Sequence, residues 1–252
     1  MIIDMHCHIM DDPADRAEVD RLLEIAARFD IRRLITSMGK DLVTHPTPEQ
    51  IREANDHVLS LVKGWPGRIF GYCYLNPRLG RAACLDELRR CTEAGLVAIK
   101  LWVACACNQP EVFPIVERAI DLDIPILQHT WRKTGGNDTD ESEPRQMAEL
   151  ARRYPQAKLI MAHGGGAWEY GVKAVRTCRN VVVDTSGANP TQGFLEMALR
   201  DLGPERIVFG TDAPLRSFAS QLAKVDAVKM PAQVRRMILQ DNAVRLFRLP
   251  IQ

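Results

Sequence analysis

Short apolar segments rich in β-branched residues alternate along this chain of 252 residues with segments whose apolar residues recur every three to four positions. Eight such apolar segments lie at residues 2–6, 33–38, 68–75, 96–102, 125–129, 158–163, 181–186 and 206–210. Their nearly continuous apolarity is typical of parallel strands that are covered on both faces. The segments between them have the periodicity of amphipathic helices. The alternation therefore predicts an α/β fold with eight β/α repeats.

Several of the intervening helices can be placed from the sequence. Thr47 as a cap, Pro48 at the first helical position and Gln50 three residues after the cap form a capping box for the second helix. Further helices are expected near residues 80–93, 110–122, 144–153, 167–178 and 192–202, and a final pair at 215–228 and 231–247. No linker or low-complexity tract interrupts the pattern, so we predict a single domain over residues 1–252.

Two architectures accommodate such repeats, an open doubly wound sheet and a closed barrel. The open sheet normally carries a glycine-rich turn after its first strand. Here the first strand runs into His6-Cys7-His8-Ile9-Met10, which contains no glycine. The length of the chain is also close to the roughly 250 residues of a closed (β/α)₈ barrel. The TIM barrel is therefore the predicted fold.

The composition excludes some classes of partner. The chain has 33 basic and 32 acidic residues, for a net charge of +1, which is not typical of a protein that binds nucleic acid or a membrane surface. We find no run of 18 apolar residues and no signal-peptide pattern at the N-terminus. The seven cysteines of a chain without such a signal are typical of reduced thiols. We therefore expect a cytoplasmic protein.

The first predicted strand ends in two histidines, His6 and His8. Side chains two residues apart point to the same side of a strand, so both imidazoles can approach one metal ion. Further candidate ligands end the predicted strands 4, 5, 6 and 8, and these are Lys100, His129, His163 and Asp212. In a barrel the C-terminal ends of the strands meet at one face, where active sites are built. The sequence therefore predicts a metal centre at this face.

Imidazole and carboxylate ligands suit zinc and also tolerate iron, manganese or nickel. A metal held by them lowers the pKa of a bound water toward neutrality, which generates a nucleophile for attack on a carbonyl. Asp212 beside that water could take up the proton and return it. A single histidine at a strand end is more often a hydrogen-bonded core residue, so the prediction rests on the whole set. His45 and His57 do not fit the set, and Asp4 is expected to be a buried hydrogen-bonding residue.

These motifs resemble the amidohydrolase superfamily, and within it the amidohydrolase-related group (amidohydrolase 2 family). The resemblance covers essentially the whole chain and rests on IDMHCH, AIKLW, ILQHT, MAHGGG, FGTDAP and the closing DNAVRLFRL. It implies a metal-dependent barrel enzyme, usually a hydrolase of C–N or C–O bonds. Some members instead resemble aminocarboxymuconate-semialdehyde decarboxylase and cleave a C–C bond.

The resemblance implies two alternative metal arrangements. One holds a single divalent ion, most simply Zn²⁺, on four ligands, which are His6, His8, His129 and Asp212. His163 then stays unligated and acts on the water. The other holds two ions bridged by a carboxylated Lys100, with His6, His8 and Asp212 on one ion and His129 and His163 on the other. We favour the single ion on the number of ligands, and take Asp212 and His163 as the catalytic residues.

Substrate contacts are expected from residues that follow the strand ends. Arg132 and Arg216 could each bind a carboxylate through their forked donors, although both could equally be solvated surface arginines. Trp102, Trp131 and Trp168 could pack against a flat ring, or could close the pocket floor or a subunit interface. These residues predict a small, anionic substrate.

Two loops at the same face have a glycine-rich composition. Thr134–Glu143 is the best candidate for a mobile lid. Gly164–Gly166 precedes a predicted helix, where free N–H groups could bind an anion. The alternative for these glycines is a tight turn that requires positive φ.

Taken together, the residues favour a metal-dependent hydrolase that cleaves an ester, lactone or amide bond of a small carboxylated substrate. A nonoxidative metal-dependent decarboxylase is the alternative, because it would use the same ligands. A barrel that binds ligands without catalysis is a third hypothesis, which the complete set of competent residues disfavours. A homodimer is only the default expectation for such an enzyme.

Overall fold

Eight parallel strands form one sheet in the computed structural model, which describes residues 1–39, 41–137, 140–187 and 191–250. Each strand pairs with the next along the chain. The strands are β1 (Ile2–Cys7), β2 (Ile31–Thr36), β3 (Ile69–Leu75), β4 (Ala98–Leu101), β5 (Ile126–Gln128), β6 (Leu159–Met161), β7 (Val181–Asp184) and β8 (Ile207–Val208). Every residue of these strands is buried except Arg32 and Phe70. This burial is what the apolar segments of the sequence predict for a sheet that is covered on both faces.

The sheet closes on itself between its last and first strands. The backbone N–H of Met5 donates to the carbonyl of Phe209 at 3.0 Å, and the N–H of Thr211 donates to the carbonyl of His6 at 3.1 Å. Cys7 and Ala213 form a further parallel bridge. The prediction of a (β/α)₈ TIM barrel is therefore confirmed, and the open sheet is excluded.

Helices follow the strands and cover the outside of the barrel. They are α1 (Arg16–Arg28), α2 (Pro48–Gly64), α3 (Arg81–Glu93), α4 (Phe113–Leu122), α5 (Pro144–Arg153), α6 (Trp168–Val175), α7 (Phe194–Leu202), α8 (Phe218–Asp226), α9 (Ala232–Arg236) and α10 (Asn242–Phe247). The capping box of α2 is present, since Thr47 Oγ1 accepts from the N–H of Gln50 and Gln50 Oε1 accepts from the N–H of Thr47.

Two predicted helices are each divided in the structure. Residues 110–122 begin with a 3₁₀ turn before α4, because Pro114 has no N–H to donate to the carbonyl of Pro110. Residues 231–247 contain a π-helical turn, Met237–Asp241, between α9 and α10. There the carbonyl of Ile238 accepts a hydrogen bond from the N–H of Phe209, so the turn ties this segment to the end of β8.

The inside of the barrel has an apolar layer and a polar layer. Ile3, Met5, Tyr72 and other inward residues form one apolar cluster, which α10 joins through Phe247. The rings of Tyr72 and Phe247 meet edge to face with centroids 5.7 Å apart, so α10 closes one mouth of the barrel. The polar side chains gather at the other end, where the strands end.

No helix in the described part of the chain is long and apolar enough to cross a membrane.

Close packing between β3 and α2 requires a glycine at position 71. A Cβ placed on Gly71 would lie 2.3 Å from Val58 Cγ1 and 2.8 Å from Leu96 Cδ2. We expect Gly71→Ala to lower the free energy of unfolding by about 1–3 kcal/mol, because the overpacked side chains must shift. Urea denaturation of the two proteins measures this difference.

Gly135→Ala is the matched control, since a Cβ on Gly135 meets no atom within 4 Å. Its denaturation midpoint should stay close to that of the wild type. Equal midpoints for both variants would contradict the packing argument.

Candidate metal centre

His6, in β1, and His8, directly after it, face the polar end of the barrel because the strand is irregular there. Ile3 and Met5 belong to the inner apolar cluster, whereas Cys7 belongs to the cluster between the barrel and its helices. The pairing of β1 with β2 shifts register between Asp4 and Cys7, so the alternation of side chains changes within this stretch. Such bulges commonly re-aim side chains next to active sites.

His6, His8 and Asp212 come together as a buried group whose ligand atoms all lie within 4.8 Å of one another. Asp212 Oδ1 lies 3.4 Å from His8 Nε2 and 3.8 Å from His6 Nε2. The backbone of Asp212 is left-handed, with φ of 63°, and its N–H donates to the carbonyl of His6 at 2.7 Å. This conformation brings the Asp212 carboxylate opposite both rings.

Hydrogen bonds orient the two rings toward a common point. His8 Nδ1 lies 3.0 Å from the carbonyl of Ser37, which can only accept, so Nδ1 carries the hydrogen. His6 Nδ1 lies 2.7 Å from Asp184 Oδ2 and donates to it in the same way. Both Nε2 atoms therefore present lone pairs beside the Asp212 carboxylate. Two imidazoles with fixed tautomers and one carboxylate fit a divalent metal ion.

The charges of the group follow from burial and mutual contact. Burial acts to raise the pKa of Asp212, but the protonated forms of His8 and His163, present where this carboxyl titrates, hold that pKa well below its usual range. Burial lowers the pKa of His6 to about 4, and the Lys100 ammonium acts in the same direction. The imidazole of His6 is thus neutral at pH 7, as a metal ligand must be.

His129 and His163 lie next to this group. His163 Nε2 is 3.3 Å from His129 Nδ1, and the ring of His163 lies 5.0 Å from that of His6. His129 Nε2 is 3.0 Å from Glu141 Oε1. Among the described residues, the groups that could hold an ion include His163, together with His6 and Asp184, but not His129. The role of His129 as fourth ligand stays a prediction.

Lys100 is buried, with its Nζ 3.0 Å from His6 Nε2. Burial lowers the pKa of Lys100 to about 8, although the carboxylates of Asp212 and Asp184 act against it. The lysine therefore lies beside one of the proposed ligands of the ion. The arrangement with two ions and a carboxylated lysine stays an alternative.

Asp184, Ser186 and Glu141 also belong to the site, although they are not among the residues predicted from the sequence. Asp184 ends β7 and is fully buried. Asp212 was predicted because it is a polar residue that follows an apolar strand segment. Asp184 has the same sequence signal and could have been predicted in the same way. Burial acts to raise the pKa of Asp184, but the charge and hydrogen bond of His6 lower it to about 2. Glu141 lies 12 residues beyond His129 on a loop, and no local pattern marks it.

Aromatic side chains surround the histidines on one side. The ring of Trp131 is nearly parallel to that of His129 at 6.4 Å and lies 5.1 Å from that of His163. Trp102 meets His129 edge to face at 6.5 Å. Trp168 instead packs against Phe194 at 5.9 Å. Trp102 and Trp131 thus lie beside the site, and the substrate contacts predicted for all three tryptophans stay predictions.

The two arginines expected to bind a carboxylate have their own contacts in the structure. The Arg132 guanidinium lies 3.9 Å from the centre of the Tyr170 ring. Arg216 is exposed and donates to the carbonyl of Leu215 at 2.8 Å. Their role in substrate binding stays a prediction.

The glycines after His163 form a tight turn. Gly164–Gly166 all have positive φ, of 56°, 83° and 74°. The carbonyl of Gly165 accepts a hydrogen bond from the backbone N–H of Arg132, and the N–H of Gly166 donates one to the backbone carbonyl of His163. This geometry agrees with the turn interpretation of these glycines. The predicted lid Thr134–Glu143 includes residues 138–139, which lie outside the described residues, so the lid stays a hypothesis.

A buried group of histidines and an aspartate at the C-terminal ends of the strands defines a metal-dependent (β/α)₈ barrel enzyme. The family model described as Amidohydrolase matches residues 3–249. The chain therefore belongs to the amidohydrolase family, as its motifs predicted.

The curated relatives that the chain matches are decarboxylases. A gamma-resorcylate decarboxylase of Polaromonas sp. (strain JS666) is 23% identical over 91% of this chain and 87% of its own length. A 2-amino-3-carboxymuconate-6-semialdehyde decarboxylase of Dictyostelium discoideum is 23% identical over 64% of this chain. That match spans 55% of the Dictyostelium protein, so the chain covers about half of this relative.

A solved structure shows the same fold. The crystal structure of a dihydroxybenzoic acid decarboxylase from Polaromonas sp. JS666, with bound manganese and the inhibitor 2-nitroresorcinol, has a TM-score of 0.77. The two sequences are 20% identical, and the match covers 100% of this chain and 98% of the Polaromonas chain. The similarity supports the barrel.

These comparisons correct the predicted activity. Hydrolysis of an ester, lactone or amide is the activity predicted from the sequence, and that prediction is wrong, because the relatives are decarboxylases. The physical reason for the error is that His6, His8 and Asp212 form a donor set that suits either reaction. An enzyme with a divalent-metal site is what the fold, the family and the donor set support together.

Removal of one proposed ligand should weaken metal binding. We expect His8→Asn to lower the affinity for a divalent ion by at least about tenfold, since losing even an outer-shell partner of a ligand costs 10–100-fold. Elemental analysis after dialysis against a competing chelator measures the ion retained per chain.

His45→Asn is the matched control, because the His45 side chain is 60% exposed and belongs to neither of the groups of described residues that could hold an ion. This variant should retain the ion as the wild type does. Equal retention by both variants would remove His8 from the ligand set.

Proposed function

We propose that this protein is a nonoxidative, divalent-metal-dependent decarboxylase of a small planar carboxylic acid. The observation that carries the proposal is the buried group of His6, His8 and Asp212 in a chain whose relatives over 91% of its length are gamma-resorcylate decarboxylases. A decarboxylase is the alternative to the hydrolase that the sequence leaves open, and it would use the same metal ligands.

The chain's own side chains would hold one ion. His6, His8 and Asp212 supply three ligand atoms, and His129 is the proposed fourth. A divalent ion there would supply positive charge that orients and polarises the oxygens of an anionic substrate. Zn²⁺ is the ion that the donor set suggested, and manganese is bound in the Polaromonas structure. Metal analysis of the purified protein distinguishes the two.

The reaction requires a proton at one carbon atom. Breaking the bond to the carboxylate releases carbon dioxide and leaves the electron pair on that carbon, which then takes up a proton. Asp212 and His163 are the proposed carriers of this proton, because both are buried at the site. Burial lowers the pKa of His163 well below its usual range, so its imidazole is neutral at pH 7 and holds one ring hydrogen.

The walls of the site favour a flat substrate. Trp102 and Trp131 flank His129, and their faces can pack against an aromatic ring. We therefore propose a hydroxybenzoate-type acid, in keeping with the dihydroxybenzoate bound in another structural relative. Arg132 and Arg216 stay candidates for contacts with its carboxylate. Cytoplasmic location, a homodimer and a single domain over residues 1–252 likewise stay predictions.

The proposal is tested with 2,6-dihydroxybenzoate that carries ¹³C in its carboxyl group. We expect release of labelled carbon dioxide and formation of resorcinol by the metal-loaded protein. Asp212→Asn should lower the rate by about 10²–10⁴-fold, the usual contribution of a positioned proton carrier. Detection of ¹³CO₂ by mass spectrometry, with metal content measured for each protein, checks this.

Asp226→Asn is the matched control, because Asp226 lies at the end of α8 and pairs with the half-exposed Arg235. It should keep the wild-type rate. Full activity in Asp212→Asn would exclude Asp212 from the chemistry. No carbon dioxide from several hydroxybenzoates, at full metal occupancy, would overturn the proposed substrate class.

A further inference from the structure

Gln128 is a fully buried polar residue at the end of β5. Leu127 lies in the apolar cluster inside the barrel, whereas Ile126 lies in the cluster between the barrel and its helices. Since side chains alternate along a strand, the side chain of Gln128 leaves β5 on the same outer face as that of Ile126. Gln128 therefore places an amide where the strand otherwise packs apolar side chains against the helices.

The amide of Gln128 reaches the loops that follow β4 and β5. Its Nε2 lies 3.3 Å from the carbonyl of Trp102, 2.9 Å from the carbonyl of His129 and 3.1 Å from Ser142 Oγ. Carbonyl oxygens can only accept, so the amide nitrogen faces them and shares its two hydrogens among the three acceptors. One side chain thus joins the first residue after β4 to the first residue after β5.

Ser142, which is also fully buried, fastens the same two loops. Its Oγ accepts the backbone N–H of Cys107 at 2.9 Å, and its carbonyl accepts the backbone N–H of Trp131 at 2.9 Å. Cys107 belongs to the loop after β4, whereas Trp131 and Ser142 lie near the two ends of the loop after β5. Gln128 and Ser142 therefore hold the two loops together at Trp102, Cys107 and Trp131.

The loops held in this way carry the two indoles beside His129. The ring of Trp131 is tilted by 10° from that of His129, and the ring of Trp102 by 88°. The two indole planes are therefore nearly perpendicular, and we call them the tryptophan corner. A flat ring that stacks on one indole can meet the other edge to face, and both are favourable arrangements of aromatic rings. A saturated ring has no aromatic face or edge to offer.

The positions of these two indoles depend on the backbone that carries them. Among the described residues, no group accepts a hydrogen bond from Nε1 of Trp102 or Trp131, whereas Trp65 Nε1 donates to Asp20 at 2.6 Å. Both rings of the tryptophan corner are also only half-buried. Loops are more mobile than the elements they connect, so hydrogen bonds to buried groups restrict the motion of both rings.

We propose that Gln128 and Ser142 are specificity-determining positioning residues, which hold Trp102 and Trp131 in a geometry that selects a flat ring over a saturated one. The inference deepens the proposed decarboxylase and rests on it for the substrate. Neither residue is a proposed metal ligand or proton carrier. The two residues therefore act on the binding of the substrate ring, and leave the ion and the proton transfer to other groups.

The positions of the indoles can be followed without turnover. The chain has four tryptophans, so protein labelled with 5-fluorotryptophan gives four ¹⁹F resonances, which single substitutions by Phe assign. Gln128→Met keeps a side chain of similar length and removes its donors. In this variant we expect the resonances of Trp102 and Trp131 to shift or broaden. The resonance of Trp65, whose indole has its own hydrogen bond, should stay in place.

Binding and turnover show which property the two residues control. Gln128→Met should raise KM for 2,6-dihydroxybenzoate by about 3–10-fold, the usual contribution of an aromatic contact, with little change in kcat or in the ion retained per chain. The preference for 2,6-dihydroxybenzoate over cyclohexanecarboxylate, measured by ¹⁹F titration, should fall by a similar factor. Ser142→Ala removes the hydroxyl and keeps the carbonyl, so it should act in the same direction with a smaller change.

Asn180→Leu is the matched control, because it removes a similar amide at the opposite mouth of the barrel. Asn180 directly precedes β7, and its Nδ2 also contacts three backbone carbonyls, those of Ala151, Tyr154 and Ala157. This variant should lower the stability of the protein. It should leave KM and the resonances of the tryptophan corner as they are in the wild type.

Each outcome decides the inference. Unchanged resonances of Trp102 and Trp131 in both Gln128→Met and Ser142→Ala overturn it, and so does an equal rise of KM in Asn180→Leu, which would show a general loosening of the barrel. A fall in kcat at constant KM, or loss of the ion, would also overturn it. If Gln128→Met does not fold, Ser142→Ala carries the test by itself. The ¹⁹F spectra need no turnover, so failure of the proposed decarboxylase activity would leave their result readable.

Discussion

The site depends on the hydrogen bonds that join β1 to the segment after β8. Asp4 accepts the backbone N–H of His6 and both the N–H and the hydroxyl of Thr211. Asp212, which follows Thr211 in the chain, donates its backbone N–H to the carbonyl of His6. These bonds close the barrel and place a carboxylate opposite His6 and His8, at the end of β1. Burial raises the pKa of Asp4 to about 7, and the hydrogen bonds offset part of the free energy that its burial costs.

Local strain accompanies this closure. His163 and Asp212 both have left-handed backbones, a conformation that costs about 1–3 kcal/mol when a residue other than glycine adopts it at such a site. The strands β6 and β8 end before these residues, earlier than predicted, because the chain must turn to direct the side chains over the barrel mouth. Hydrogen bonds from their N–H groups, to Asp184 and to His6, hold the strained turns in place.

The donor set alone does not select a reaction. Two imidazoles and a carboxylate can hold a divalent ion for attack by water or for loss of carbon dioxide. The difference lies in how the substrate is oriented and what surrounds it. Those features come from loop residues such as Trp102 and Trp131, whose positions depend on the packing of loops that no repeat pattern describes. The error in the predicted activity has this origin.

The sequence by itself determined the eight β/α repeats, the closed barrel and the strand ends at which His6, His8, His163 and Asp212 lie, because side-chain periodicity and strand polarity are local properties. Only the tertiary structure decided which of them meet and how their rings are turned. Asp184, Ser186 and Glu141 act through hydrogen bonds to residues on other loops or strands, and β1 re-aims its side chains through a bulge. Ring orientation depends on those long-range partners, and a sequence pattern does not contain them.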